Sequence, residues 1–468
     1  MNVKDFSLES KEISAGEILL AIETAIPAEM IDKAIALTGC KEDRNRKMPT
    51  QLVIYMVIAM SVWASDSMKD VLKNLMNGSK RFRATQGSQG SQGSIPVKSA
   101  ITKARKRVGP RVMSELFNKL TRPLATEQTP GAFLGNWRIV LIDGTSINLP
   151  DSAENARVFG YPGTKKGTKA AWPKARIVML IEGGTHLIFD ALISPYRMGE
   201  APRARMLLRS VTQGMLVMWD RGLHSYLMVN GTIKKQAAIL GRVPAHVKFT
   251  VETVLPDGSY LSYIHPDRKL KKKGFQPILV RVIEYQIDNP QKPENSEFIR
   301  VITNLFDTEQ FPADWLATEY HQRWEAENTI DEVKTHLNGR KTPIRSWHPR
   351  EVVQEVYGWL LGHWAVRCLM FQSATLEGIS PLRLSFTASL KVIRRASPHF
   401  QTAQPDEYSV FFQELFQKIL SEKLPPRENR SNPRVVKKPV SKFKTKKPEH
   451  RRPRGKQSLP AIQVRMVA

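Results

Sequence analysis

The chain has 468 residues, of which 71 are Lys or Arg and 44 Asp or Glu, for a formal net charge of +27. Its 41% hydrophobic content excludes a disordered polycation, and at about 100–200 residues per domain the length predicts two to four domains. Only two cysteines occur, Cys40 and Cys368, far apart; this excludes a disulfide scaffold and a cysteine zinc module and suits a reducing cytoplasm.

The polar, acidic start at Met1 does not read as a secretory signal. The most apolar run, Leu52 to Ala64, falls short of the ~20 residues of a spanning helix and is expected to be a buried core helix. A chain this basic predicts a polyanionic partner, nucleic acid first, with a merely solvated basic surface as the alternative.

Residues 1–130 read as a helical domain. Pro27 and Pro49 mark helix entries, each followed by an apolar run, and a helix over about Asp66 to Met76 closes at Asn77-Gly78. A Gln-Gly-Ser tract, Gln86 to Ser94, predicts a loop. The basic amphipathic helix from Val97 to Val108 follows; between Lys98 and Arg122 Glu115 is the sole acid. It is read either as a DNA-contacting helix or as an exposed lysine-rich face.

From Trp137 short apolar strands take over: 138–143, 175–181 and 186–193, then a helix from Glu200, a strand at 215–220, a helix at 225–235 and a strand after Ala237. This order predicts a mixed α/β sheet covered by helices over 131–241. Alternating strands without helices define a β-rich insertion at 242–305. Helices return in 306–375 and in a C-terminal region, 376–422. Residues 423–468 carry 15 basic and 2 acidic residues with repeated prolines, which predicts a disordered basic tail.

Two of these strands end in an aspartate followed by turn residues, Asp143-Gly144-Thr145 and Asp220-Arg221-Gly222. Each places a carboxylate at the edge of a rigid sheet, suited to a metal site, although Asp-Gly is also a common turn signal. Asp190, inside a strand that continues past it, is expected to pair with a neighbouring base instead.

The segment Tyr320 to Lys334 carries more. On a continuous helix Tyr320, Arg323, Glu327 and Lys334 fall at about 0°, 300°, 340° and 320°, on one stripe. Two cations, a phenol and a carboxylate on one face suit a phosphodiester, while i,i+4 pairing of Arg323 with Glu327 is the ordinary alternative. Glu325, at about 140°, points away; Asp331, near 20°, stays open. Trp324, at about 40°, borders the stripe.

This spacing, Tyr-x2-Arg-x3-Glu-x6-Lys, resembles the Y-R-E-K signature of the IS4 family of bacterial DDE transposases. Asp143-Gly-Thr and Asp220-Arg-Gly resemble the motifs of that family's first two carboxylates, and the N-terminal helices resemble its N-terminal domain. The resemblance implies an RNase H-like catalytic core with a β-rich insertion, and cut-and-paste transposition of an insertion sequence. Asp143, Asp220 and Glu327 would be catalytic and hold two Mg²⁺, with Mn²⁺ able to substitute. Tyr320, Arg323 and Lys334 would grip double-stranded DNA: the element's terminal inverted repeats and the target. Lys165, Lys166 and Lys169 offer a further DNA track. Relatives excise through a hairpin with a flipped base held by aromatics, a role open to Trp324 or Phe298, although ordinary core packing is the favoured reading of Trp324. Synapsis implies at least a homodimer. The alternatives are a structure-selective nuclease on the same core, or a non-catalytic DNA-binding derivative.

Overall fold

The computed structural model describes residues 25–42, 44, 46, 48–78, 95–163, 170–287, 297–339, 343–402 and 408–425. The Gln-Gly-Ser tract, Lys165, Lys166, Lys169 and residues 426–468 of the basic tail lie outside the described residues.

The first helices follow their local signals. Helix α1 (Ala28–Thr38) starts after Pro27 and stops at Gly39, whose φ of 67° is the left-handed conformation that caps helices. Helix α2 (Thr50–Val62) is apolar all round, and every residue except Gln51 is buried, as a core helix requires. Helices α3 (Met68–Gly78), α4 (Lys98–Val108) and α5 (Arg111–Leu120) pack beside it. On α4, Lys98, Lys103, Lys106 and Arg107 are exposed. Arg105 instead turns inward, where its guanidinium donates to Gln354 Oε1 (2.9 Å), Ser346 Oγ (2.9 Å) and the Glu351 carbonyl (3.0 Å). One of the basic groups on this helix is therefore a structural tie and not part of a surface.

The sheet begins with β1 (Phe133–Leu134) and the long β2 (Trp137–Asn148). Helix α6 (Ala153–Phe159) follows, capped by Ser152, whose side chain accepts from the Asn155 amide. Then come β3 (Lys174–Glu182), β4 (Ile188–Pro195), α7 (Glu200–Leu207), β5 (Met215–Trp219), α8 (Tyr226–Ile233) and β6 (Ala238–Arg242). Strands β2, β3 and β4 are antiparallel neighbours, while β5 and β6 add in parallel on the other side of β2. The order β4-β3-β2-β5-β6 is the expected α/β catalytic core, RNase H-like in strand arrangement.

The insertion supplies β7 (Thr253–Val254), β8 (Tyr260–Ile264), the short helix α9 (Arg268–Lys271), β9 (Ile278–Ile287) and β10 (Glu297–Thr303). Its strands continue the same sheet, in the order β6-β10-β9-β8-β7. The expectation of an insertion without helices is corrected by α9, which forms because Asp267 caps it by accepting from the Leu270 amide at 2.8 Å.

After the sheet come α10 (Ala313–His321), α11 (Trp324–Asp331), a π-helix over Glu332–Leu337, the 28-residue α12 (Pro349–Leu376), α13 (Phe386–Thr402) and α14 (Tyr408–Leu420). Strand alternation in β2 divides the apolar residues between two cores. Ile139, Leu141 and Ile147 join the larger core with α2, α5 and α12; Val140 and Ile142 join the smaller with α7 and α8. Helices α2 and α12 approach closely because α12 carries glycines there. A Cβ on Gly358 would stand 2.6 Å from the Val57 carbonyl, and one on Gly362 1.9 Å from Ser61 Oγ. No described helix is long and apolar enough to cross a membrane.

Candidate active site

The expectation that both aspartates end their strands holds for one of them. Strand β5 stops at Trp219, one residue before Asp220. Strand β2 does not stop at Asp143: its ladder with β3 runs through Asp143↔Met179 and Gly144↔Val178 to Asn148↔Lys174. The Asp-Gly pair is no turn here, because nine consecutive pairings with β3 keep the backbone extended. The last parallel pair is Ile142↔Trp219, so Asp143 and Asp220 come side by side where β5 ends. Each is oriented by a nearby amide: Gly144 N–H donates to Asp143 Oδ1 at 2.7 Å, and Gly222 N–H to Asp220 Oδ1 at 2.9 Å.

The continuous helix expected from Tyr320 to Lys334 is also corrected. Helix α10 ends at His321, and the chain tightens through i→i+3 bonds, Gln322 N–H to the Glu319 carbonyl (2.9 Å) and Arg323 N–H to that of Tyr320 (3.1 Å). Helix α11 then runs to Asp331 before the chain widens into the π-helix. Tightening and widening displace side chains in opposite senses; Arg323 reaches an aspartate directly, Tyr320 and Lys334 bond to residues beside the aspartates, and Glu327 is joined through Arg323. The Tyr320 hydroxyl donates to the Trp219 carbonyl at 3.4 Å, beside Asp220. Arg323 reaches in two directions, Nη1 to Asp143 Oδ2 at 3.6 Å and Nη2 to Glu327 Oε1 at 3.0 Å. Lys334 Nζ donates to Thr145 Oγ1 at 3.3 Å, two residues along β2 from Asp143.

The π-helix is anchored from inside. Buried Glu332 lies at its start, 2.9 Å from His186 Nδ1 and 3.0 Å from His363 Nε2, and accepts from Arg367 Nε at 2.9 Å. The other ring nitrogen of His186, on the β3–β4 turn at φ 61°, lies 2.8 Å from Glu325 Oε2. Glu325, which the helical projection turned away from the stripe, is thus tied to the β3–β4 turn. Asp331 pairs with His336 at 3.0 Å on the surface. Trp324 is 49% exposed, so the core-packing reading favoured for it is corrected: it heads α11 on the outside of the junction. Phe298, on β10, is 54% exposed. Asp190 pairs as expected, accepting from Arg209 at 2.7 and 2.9 Å and from Ser210 at 2.6 Å.

Burial pushes the Asp143 carboxyl up to about 7; Asp220 and Glu200 push the same way, against the Gly144 amide and Arg323. Burial likewise raises the Tyr320 phenol to about 12. It lowers the Lys334 ammonium, and that of Lys174, which Lys334 also repels. Among the described residues no three Asp, Glu, His or Cys groups already stand close enough to hold an ion. The chemistry of the donor set nevertheless fits a hard divalent cation. Burial makes the charged form of Asp143 costly, with a smaller push from Asp220 and Glu200, and a bound cation would offset that cost. Arg323 is the cation that spans Asp143 and Glu327.

Two residues near the site carried no signal in the sequence. Glu200, at the start of α7, pairs through Oε2 with Arg176 at 3.1 Å and lies against Gly144. Arg242, at the end of β6, bears electrostatically on Tyr320. Neither belongs to a spaced motif; the sheet order brings them in.

The description "Insertion element 4 transposase N-terminal" matches residues 17–118, and "Transposase DDE domain" matches residues 137–353. The chain is 25% identical over 444 residues to the transposase InsG for insertion sequence element IS4 of Escherichia coli (strain K12), covering 94% of this chain and 96% of that protein. It is 26% identical over 200 residues to the putative transposase InsZ of the same organism, 43% of this chain and 62% of that one. A cryo-EM structure of the piggyBac transposase synaptic complex with hairpin DNA aligns over 91% of this chain and 89% of its own, at 11% identity and a TM-score of 0.43.

Proposed function

The chain belongs to the IS4 family of DDE transposases, metal-dependent enzymes that cleave DNA and transfer its strands, and from that premise we propose how its residues divide the work. Asp143, Asp220 and Glu327 are the catalytic carboxylates and hold two Mg²⁺, for which Mn²⁺ can substitute. Divalent ions held there supply activation of the attacking water or 3′-hydroxyl and stabilise the leaving oxygen of an in-line displacement.

The protein's own part is charge placement. Arg323 spans Asp143 and Glu327, and its planar guanidinium would fork onto a phosphate at the same place once divalent ions took up the charge of the carboxylates. Lys334, which donates to Thr145 on β2, adds a point charge for the same backbone, and Tyr320 holds the end of β5. The Arg323 bridge is the observation that carries this reading, since it joins the strand and helix carboxylates through one side chain.

The partners we propose are the terminal inverted repeats of the element and the target duplex, with two protomers pairing two ends. Lys165, Lys166 and Lys169 are proposed as a further DNA track. Trp324 and Phe298 offer exposed rings on which an unstacked base can rest, which supports excision through a hairpin.

The decisive test compares wild type with Asp143→Asn on DNA carrying the element's end, in Mg²⁺. The variant is expected to bind and not to cut; equal cutting by both proteins overturns the assignment. Hairpin intermediates resolved on denaturing gels, reduced in Trp324→Ala and Phe298→Ala, test the base platform.

A further inference from the structure

The Asp143-Gly144-Thr145 motif holds a second carboxylate that its sequence does not contain. In β2 the side chains alternate, so Gly144 faces the opposite side of the sheet from Asp143, toward the core shared with α7. The place where its Cβ would stand is taken by Glu200. A Cβ on Gly144 would lie 1.8 Å from Glu200 Oε1, 2.8 Å from its Cδ and 3.1 Å from its Cγ. No other residue type fits at position 144 while Glu200 stays where it is.

Glu200 is aimed there by its own anchor. Arg176, opposite Ser146 on β3, holds Oε2 at 3.1 Å and leaves Oε1 over the glycine. At this point β5 has already ended, so no strand walls off that flank of β2. Across this opening Glu200 bears electrostatically on Asp143, and Asp220 on Glu200, although the second face holds one carboxylate and the first face the other two.

We infer that Glu200 is a fourth carboxylate of the catalytic centre, entering across the opening at Gly144 and supplying an oxygen ligand to one of the two divalent ions. The inference rests on the assignment of Asp143, Asp220 and Glu327 as the metal site. It also gives Gly144 a role: it is the gap that lets one ion be held from both faces of the sheet.

The test is Mn²⁺ binding by the full chain, followed as loss of the free-ion electron paramagnetic resonance signal, with thermal melting in EDTA to check folding. Glu200→Gln can still accept from Arg176 but lacks the charge, and it is expected to weaken binding of at least one Mn²⁺ by tenfold or more. Gly144→Ala keeps the Glu200 charge but displaces it with a methyl group, and the same loss is expected. Wild-type Mn²⁺ affinity in whichever of these variants melts as wild type overturns the inference, provided Asp143→Asn loses binding. If Asp143→Asn also binds as wild type, the underlying metal-site reading fails as well.

Discussion

Asp143 shows how one residue's surroundings set its chemistry. Its folded pKa, pushed up to about 7 by burial, lies above the ~3.9 of an unfolded chain. Protonation therefore favours the folded state: that stability is fully present below about pH 3.9 and is lost as pH rises through about 7. In the metal-free protein Asp143→Asn removes this penalty, so its melting temperature is expected to exceed the wild type's at pH 8 and to lose most of that advantage by pH 5. The same proton competes with metal, so Mn²⁺ affinity is expected to climb by up to about tenfold per pH unit below 7 and then level off. A flat profile across pH 5.5–8 would contradict a buried, proton-competing carboxylate. The identity of Asp143 as a candidate was legible from an aspartate in an apolar strand. Its pKa was not, because desolvation and the neighbouring Asp220 and Glu200 come from elements far away in the chain.

Among the elements, the junction of α10, α11 and the π-helix matters most. Glu332 anchors the π-helix from inside, through His186, His363 and Arg367. Its carboxyl is held well below the usual range: burial opposes this, but Arg367 and His186 outweigh it. That stabilisation is present above the unfolded pKa and is lost as pH falls through the folded one. His186 is raised, with Glu332 and Glu325 outweighing its burial; its contribution is full below about pH 6.5 and fades as pH rises through its folded pKa. Glu332→Gln leaves Arg367 buried beside a neutral partner, and a loss of about 3–5 kcal/mol in chemical denaturation is expected. A loss under 1 kcal/mol would mean that the network holds little. The close crossing of α2 and α12 gives a second check. Gly358→Val would drive a side chain into the Val57 carbonyl, and overpacking of this kind costs about 1–3 kcal/mol. The spacing of the Tyr320–Lys334 segment was readable, but its tightening at Gln322 and widening at Glu332 were not. The spacing constrains which side chains share a face; only the anchors from β3–β4 and α12 decide how the backbone winds to put them there.

For the whole molecule, charge and core play separate parts. Of the net +27, residues 423–468 hold 15 basic against 2 acidic groups. Removing them is expected to weaken nonspecific DNA binding and to flatten the slope of log affinity against log salt, while cleavage at low salt persists. An unchanged slope would place the phosphate contacts elsewhere. The N-terminal helices, by contrast, share an apolar core with the catalytic sheet and are tied to α12 through Arg105, so their exposed lysines ride on the same body as the active site.

The sequence alone determined the classes of element, the polyanionic partner and the spacing that places the chain in its family, because these depend on local periodicity and residue type. It also determined that a strand–helix core is interrupted by a run of strands. Tertiary structure alone decided that Asp143 lies within its strand, that the insertion extends the same sheet, and that Arg323 bridges two carboxylates. It also decided that Glu200 occupies the space above Gly144. Each of these depends on which strand ends beside which, and such distances between remote segments are set by packing, which no local pattern encodes.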